Sequence, residues 1–257
     1  MRVLVACEES QRVCTAFRNK GHEAYSCDIL ECSGGHPEWH IQGDVLKILN
    51  PSKQTVLTTR TGDDSGVKEW EGITFTTMDG KLHVIEGRWD MIIAFPPCTH
   101  LAVSGALRFA EKREDGRQRD AIIFFCSILS ADCDKIVVEN PVNIISGKYC
   151  KQWFPDLVEK YGLPIKPSQS VHPWMFGHPE SKKTCFWIKG VSCLVPTDIL
   201  ELPECGYWSN QTKDGQNKLI VDGKWIAFND PRTATLRSKT YFGIAQAMAD
   251  QWGTVQN

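Results

Sequence analysis

No run in this 257-residue chain approaches the ~20 consecutive apolar residues of a membrane span. The N-terminal MRVLVACEES, a short apolar strand running straight into acids, lacks the cleavage site of a signal peptide. A protein of the cytoplasm, with no membrane partner, is the expectation. A basic excess is also missing. The formal net charge of −2 speaks against a dedicated nucleic-acid binder but leaves room for an enzyme that grips a polymer locally. Internal repeats, low-complexity tracts and long linkers are absent, which excludes solenoids and tethered arrays. Cysteine, by contrast, is plentiful. Eleven cysteines scattered through strand-like and helix-like segments of a chain this long read as reduced thiols, not as a disulfide framework. With 42% hydrophobic residues the chain has the composition of a globular protein, enough for one large domain with at most a small appendage.

RVLVAC (2–7) reads as a short buried strand, EES as a turn, and QRVCTAFRNKG as a helix stopped by Gly21. HEAYSCD returns as a second strand with Asp28 at its tip, a βαβ start with an acid where a nucleoside ribose is commonly held. IQGDVLKI offers a further acid, Asp44, after another strand. The polar, glycine-rich stretch 51–88 contains a hairpin, ITFTTMDGKLHVIEG, turning at Asp79-Gly80. WDMIIAF and KIVVENPV are apolar strands, and RQRDAIIFFCSILSAD between them is a mostly buried helix. Strands alternating with helices predict an α/β fold built on a doubly wound, mainly parallel sheet. Beyond about residue 190 the chain becomes turn-rich, and SKTYFGIAQAMADQWG closes it as an amphipathic helix. The expected organisation is a core over 1–190, a small irregular insert over 191–230, and a C-terminal helix within 231–257 that returns to the core.

In AFPPCTHLAVSG (94–105) a cysteine stands directly behind two prolines, which cannot pair in a central strand because both backbone donors are missing. Cys98 therefore sits just past a strand's C-terminal end, where ligands collect in open α/β sheets. Glu139 and Asn140 end another strand, on the same rim if the two strands are neighbours. A thiolate is a strong nucleophile and a partly buried carboxyl can be kept protonated, a pair suited to addition across a conjugated, protonatable ring. A packing cysteine, an exposed acid and a simple Asn-Pro turn are the alternatives.

PPCTHLAVSG resembles the Pro-Cys nucleophile loop of DNA (cytosine-5) methyltransferases, and VVENPV is similar to their Glu-Asn motif. FGHPESKKTCFWIKG (176–190) resembles the family segment that carries a Gln-x-Arg-x-Arg triplet before a strand, and TYFGIAQAMADQW stands where the last motif returns to the cofactor pocket. The motifs fall in family order across nearly the whole chain, which looks like the compact phage and prophage members. The resemblance implies a Rossmann-like fold, S-adenosyl-L-methionine as cofactor and double-stranded DNA as partner, in a bacterial or phage-infected cell. It implies that Cys98 attacks C6 of a flipped cytosine, that Glu139 donates to N3, that Asn140 fixes the loop, and that Lys182 joins them. It implies a cofactor site from Cys7, Glu8, Ser10, Asp28, Ile29, Asp44, Val45, Phe95 and Pro97, and no metal.

The chain departs from the family in three places. The first turn, ACEES, lacks the glycines that let backbone approach the cofactor; Glu8 and Glu9 stand where they would hold its ammonium, with Ser10 as helix cap. Thr99 replaces a common glutamine. Glu180, Lys182 and Thr184 stand for Gln-x-Arg-x-Arg, and threonine offers neither charge nor fork. A free deoxynucleotide or modified base as substrate, or an inactive DNA-binding relative, therefore stay open beside the methyltransferase reading.

Cys32, His36 and His40 have ligand-like spacing without an evident fourth ligand. A Cys98–His100 pair has poor geometry for a base. RFAEKREDGRQRDA, with Arg108, Lys112, Arg113, Arg117 and Arg119, reads either as a solvated face or as a loop closing over DNA phosphates. The nine tryptophans read mostly as core or aromatic packing, with base stacking the alternative for Trp208 and Trp225 in the insert; if the insert reads DNA, Trp208, Lys213 and Lys218 are the expected contacts.

Overall fold

The computed structural model describes residues 1–59, 65–201, 218–221, 224–227 and 230–254. The chain starts with β1 (Arg2–Ala6), α1 (Arg12–Asn19), β2 (Glu23–Asp28) and β3 (His40–Gln42). A three-stranded antiparallel meander follows, of β4 (Ser52–Thr59), β5 (Ser65–Thr76) and β6 (Leu82–Glu86), and then β7 (Met91–Ala94). The hairpin expected around Asp79-Gly80 is the β5–β6 turn, with Gly80 at φ +85°. β4 escaped sequence reading because SKQTVLTT has no apolar run to mark it. Next come α2 (Phe109–Glu114), α3 (Arg117–Leu129), β8 (Ile136–Pro141), α4 (Tyr149–Trp153), α5 (Pro155–Tyr161), β9 (Gln169–Val171) and β10 (Thr184–Lys189). β11 (Lys218–Val221) and β12 (Lys224–Ala227) form an antiparallel hairpin. The C-terminal segment holds α6 (Arg232–Ser238) as well as the expected helix, α7 (Phe242–Trp252).

Seven strands make the main sheet in the order β3-β2-β1-β7-β8-β10-β9. β3 to β8 run parallel, and β10 pairs antiparallel with both β8 and β9 at one edge. The fold is thus α/β, a mostly parallel, doubly wound, Rossmann-like sheet. Strand pleating sorts its side chains to two layers. Leu4, Ala6, Ile92, Ala94, Ile136 and Val138 pack with Ile122 and Phe125 of α3 on one face. Val3, Val5, Met91, Ile93 and Val137 pack with Phe17 of α1 and Met248 and Trp252 of α7 on the other. α7 packs against α1.

α1 buries Val13, Cys14, Ala16 and Phe17, and Gly21 at φ +81° lets the chain leave it. Ser10 does not cap this helix. Glu8 does, reaching forward so that its carboxylate accepts from the Val13 and Cys14 amides at 2.7 and 3.1 Å. A longer side chain starting further back satisfies the same orphan donors.

The ten cysteines among the described residues are free thiols. No helix among them is long and apolar enough to cross a membrane.

Candidate active site

β1 and β7 are neighbours, but the chain leaves β1 towards β2 and β3 and leaves β7 towards β8, so the strand order reverses between them. Such a switch point opens a crevice beyond the strands' carboxyl ends. β7 carries on just far enough for the Phe95 amide to reach the Ala6 carbonyl at 2.9 Å, and Pro96-Pro97 then end the pairing. Cys98 follows on an exposed loop, as expected from the two prolines. Its own carbonyl accepts from the Leu101 and Ala102 amides at 3.0 and 2.8 Å.

Glu139 and Asn140 follow Val138, the β8 residue paired with Ala94, so both stand at the rim beside the Cys98 loop. Asn140 is buried, and its Nδ2 donates to the Pro96 carbonyl at 2.8 Å. Its Oδ1 accepts from Asn143 Nδ2 at 3.0 Å, and Asn143 Oδ1 accepts from the Ile145 amide at 3.0 Å. Asn143 went unnoticed in the sequence; its spacing of three from Asn140 was the available signal. Lys182 arrives from the other direction, just ahead of antiparallel β10, and shares a narrow pocket with Phe95, Glu139, Thr184 and Tyr241.

Burial raises the Glu139 carboxyl above the usual carboxylate range, with the Lys182 ammonium pulling the other way. The Cys98 thiol is also raised, first by the protein packed around the sulfur of this otherwise exposed residue and then by the charge of Glu139. Lys182 and Lys112 oppose that rise. The two groups therefore favour complementary states: a protonated Glu139 relieves the repulsion that disfavours a Cys98 thiolate. Thr184 brings no charge, but Lys182 places a cation close enough to act on both Cys98 and Glu139.

In the β1–β7 crevice, Cys7 and Gln11 adopt left-handed backbone, at φ 59° and 56°, in the turn where the family has glycines. The buried side chain of Gln11 holds this turn against the loop after β2, donating to the His36 carbonyl at 2.8 Å and accepting from the His36 amide at 3.0 Å. Half-buried Asp28 ends β2 and accepts from the Leu30 amide at 2.9 Å; Ile29 beside it is 74% exposed. Asp44 accepts from the Leu46 amide at 3.0 Å, ahead of buried Val45. Burial, then the charges of Asp28, Cys27 and Asp44, raise the Cys7 thiol, and the Gly43 amide, next to Asp44, bonds the Asp28 carbonyl at 2.8 Å. Phe95 is half-buried and Pro97 exposed at the neighbouring rim. The Glu8 carboxylate is occupied by the two α1 amides, and burial raises it to about 7. Ser10 is half-buried.

These residues fit a nucleoside-bearing cofactor. Two carboxylates stand ready for hydroxyls, an exposed isoleucine offers a face for a base, and the turn's backbone takes the left-handed path without glycine. Glu8 sets a limit on the fit: with its carboxylate on the first turn of α1, that helix end does not attract another carboxylate.

Other candidates fall away on geometry. His40 Nδ1 bonds Ser26 Oγ at 2.8 Å and Nε2 bonds the Leu30 carbonyl at 2.9 Å, so neither ring nitrogen is free for a metal. The basic stretch after the Cys98 loop is helical, and three of its outward cations are matched, while Arg108 is exposed without an ion pair among the described residues. Arg117 bonds Asp115 and Glu111, Arg119 bonds Asp156, and Arg113 lies over the Trp153 ring. Lys112 points inward and is buried. Trp208 and Lys213 lie outside the described residues, as do the side chains of Lys218 and Trp225.

No protein-family model and no curated protein matches the chain. Among solved structures it is similar to an E. coli protein described as a candidate DNA modification methyltransferase encoded within a prophage, at 13% identity and a TM-score of 0.42. The match covers 79% of this chain and 52% of that one, so it spans about half of the other protein's length.

Proposed function

We propose that the chain is an S-adenosyl-L-methionine-dependent DNA methyltransferase acting on C5 of cytosine, with Cys98 as nucleophile. The observation that carries this reading is the convergence of a thiol on an exposed loop, a half-buried carboxyl and an ammonium, Cys98, Glu139 and Lys182, on one rim of the sheet. The motifs that resemble the family supply these same residues.

Cys98 Sγ would add to C6 of a cytosine turned out of the duplex, because the ring edge is out of reach inside the stack. As the S–C6 bond forms, the C5–C6 electron pair moves towards C5, and a proton donated from Glu139 to N3 keeps charge from building on the ring. A raised Glu139 carboxyl holds that proton nearer neutral pH than an ordinary glutamate. Lys182 steadies the thiolate, and Asn140 keeps the loop at the reacting distance through Pro96. Asp28, Ile29, Asp44 and Phe95 would hold the cofactor's nucleoside, with Cys7, Glu8, Ser10, Val45 and Pro97 shaping the walls. When bound, S-adenosyl-L-methionine supplies an electrophilic methyl group. Once C5 carries the methyl group, its proton would pass to water or hydroxide reaching the ring, the C–H pair restoring the C5–C6 double bond as the S–C6 pair returns to Cys98 as thiolate and the N3 proton returns to Glu139.

Digesting DNA from cells that express the protein to nucleosides, followed by mass spectrometry, tests the reading. 5-Methyldeoxycytidine is expected with the wild type and not with Cys98→Ser. Unmodified DNA overturns it, and a C5 group of another mass replaces methyl transfer with a different alkylation.

A further inference from the structure

Three consecutive stretches of the Cys98 loop have their carbonyls gripped by buried side chains. Asn140 holds Pro96 O at 2.8 Å, Lys112 Nζ holds Thr99 O at 2.5 Å, and Gln118 Nε2 holds His100 O at 3.1 Å. The three side chains are 1%, 6% and 0% exposed, whereas Cys98 between the held carbonyls is exposed. α2 and α3 thus form a floor beneath the loop, with Gln118 on the first turn of α3. The fit at Lys112 is close: a Cβ added at Gly105 would lie 3.4 Å from its Nζ.

Lys112 differs from its two companions in carrying a charge. Neutral amides do the same hydrogen-bonding work at the neighbouring carbonyls, and burying an ammonium costs free energy that a neutral donor avoids. No carboxylate among the described residues pairs with it. The charged groups that act on Cys98 are Glu139 from β8, Lys182 from ahead of β10 and Lys112 from α2. Lys112 reaches the loop at Thr99, between the carbonyls that Asn140 and Gln118 hold, and does not line the Glu139 pocket.

We propose that Lys112 is a positioning residue for Cys98: its buried ammonium locks the Thr99 carbonyl and keeps a positive charge behind the sulfur. The proposal rests on Cys98 as the nucleophile. A charge held there favours the thiolate at the moment of attack without occupying the face that the substrate approaches.

Site-resolved alkylation of the folded full chain by iodoacetamide tests this without DNA or cofactor, with exposed Cys193 as internal reference. In Lys112→Gln, which keeps a donor for Thr99 O but no charge, Cys98 should react roughly tenfold more slowly than wild type at neutral pH. The midpoint of its rate–pH curve should move up, and the rate at high pH should stay near wild type. Lys112→Met should show the same displaced midpoint, and Lys112→Arg should restore it. A wild-type midpoint in both neutral variants overturns the proposal, whatever happens to thermal stability. So does loss of the fold in both, which would make the lysine's duty structural. Should the displacement appear while cellular DNA is unmodified, Lys112 still acts on Cys98 and only the methyltransferase reading falls.

Discussion

Glu139 and Asn140 are adjacent on β8, and the pleat of the strand sends their side chains to opposite faces of the sheet. Glu139 shares a pocket with Phe186 and Met248 of the α1–α7 layer, while Asn140 reaches across to the Pro96 carbonyl. One dipeptide thus places an acid at the rim beside Cys98 and a clamp on the Cys98 loop. A one-residue slip of β8 would exchange these faces and destroy both roles.

The clamp depends on Asn143. Its Nδ2 occupies Asn140 Oδ1, which leaves Asn140 only its Nδ2 to offer Pro96. Asn143→Asp removes that donor while keeping the acceptor for Ile145. Asn140 should then turn its amide round, presenting oxygen to an oxygen. A destabilisation of about 1–3 kcal/mol is expected, the range for a buried polar group left unpaired. Cys98 alkylation should change in parallel. Denaturant unfolding with unchanged stability and unchanged Cys98 reactivity would disprove the relay.

For the cofactor, calorimetry is expected to show binding of S-adenosyl-L-methionine or its demethylated product. Asp28→Asn keeps an acceptor for the Leu30 amide but loses the charge, whereas Asp28→Ala loses both. Both should weaken binding, the alanine variant by about 1.5–3 kcal/mol, as for a hydrogen bond to a charged group. Wild-type protein that takes up no cofactor removes the basis for the crevice assignment.

The parallel part of the sheet was legible because its strands are short, mostly apolar runs that end at strong breakers, Asp28, Pro96-Pro97 and Asn140-Pro141, whereas β9, three residues long, carries no such signal. Periodicity placed α1, α3 and α7 for the same reason. β4 was not legible, since its alternation carries few apolar residues. Neither was the inward turn of Lys112 and Gln118. In the run RFAEKREDGRQRDA they look like any other polar residue, and only the packing of α2 and α3 against the loop separates them from Arg117 and Arg119, which face solvent acids. The Glu8 cap was hidden by its distance from the helix it serves: a side chain two residues before Ser10 supplies the bonds expected of Ser10.

Glu8 also makes stability pH-dependent. Its carboxyl is raised from an ordinary 4.5 to about 7 in the folded chain, chiefly by burial. Between those values the folded protein keeps a proton that the unfolded chain has released. Stability from this group is therefore complete below the unfolded value and lost as pH rises through about 7, of the order of 3 kcal/mol in all. Glu8→Gln imitates the protonated acid and should flatten the slope between pH 5 and 8 in urea titrations. A slope equal to that of wild type would show that Glu8 titrates normally.

The last prediction concerns the Cys98–Glu139 pair. The reactive arrangement, thiolate beside neutral acid, holds one proton, and so does the resting thiol beside a carboxylate. Because the two arrangements have the same proton count, pH does not shift the balance between them. Trapping on DNA containing 5-fluorocytosine, where fluorine cannot leave as the C5 proton does, should therefore show a plateau between two apparent pKa values. On the acid side both groups are protonated, and on the alkaline side both are ionised. Burial raises each group, so both limbs should lie above those of a free glutamate and a free thiol. Glu139→Gln cannot ionise and loses the acid that activates the ring. Its trapping should be slower throughout, and it should rise with pH in a single step as Cys98 ionises. The measurement is the initial rate of the slower-migrating protein–DNA band on a denaturing gel, with cofactor present, across pH 5 to 10. An identical two-limbed profile in Glu139→Gln would mean that another group donates the proton, and no band at any pH would remove Cys98 from the chemistry.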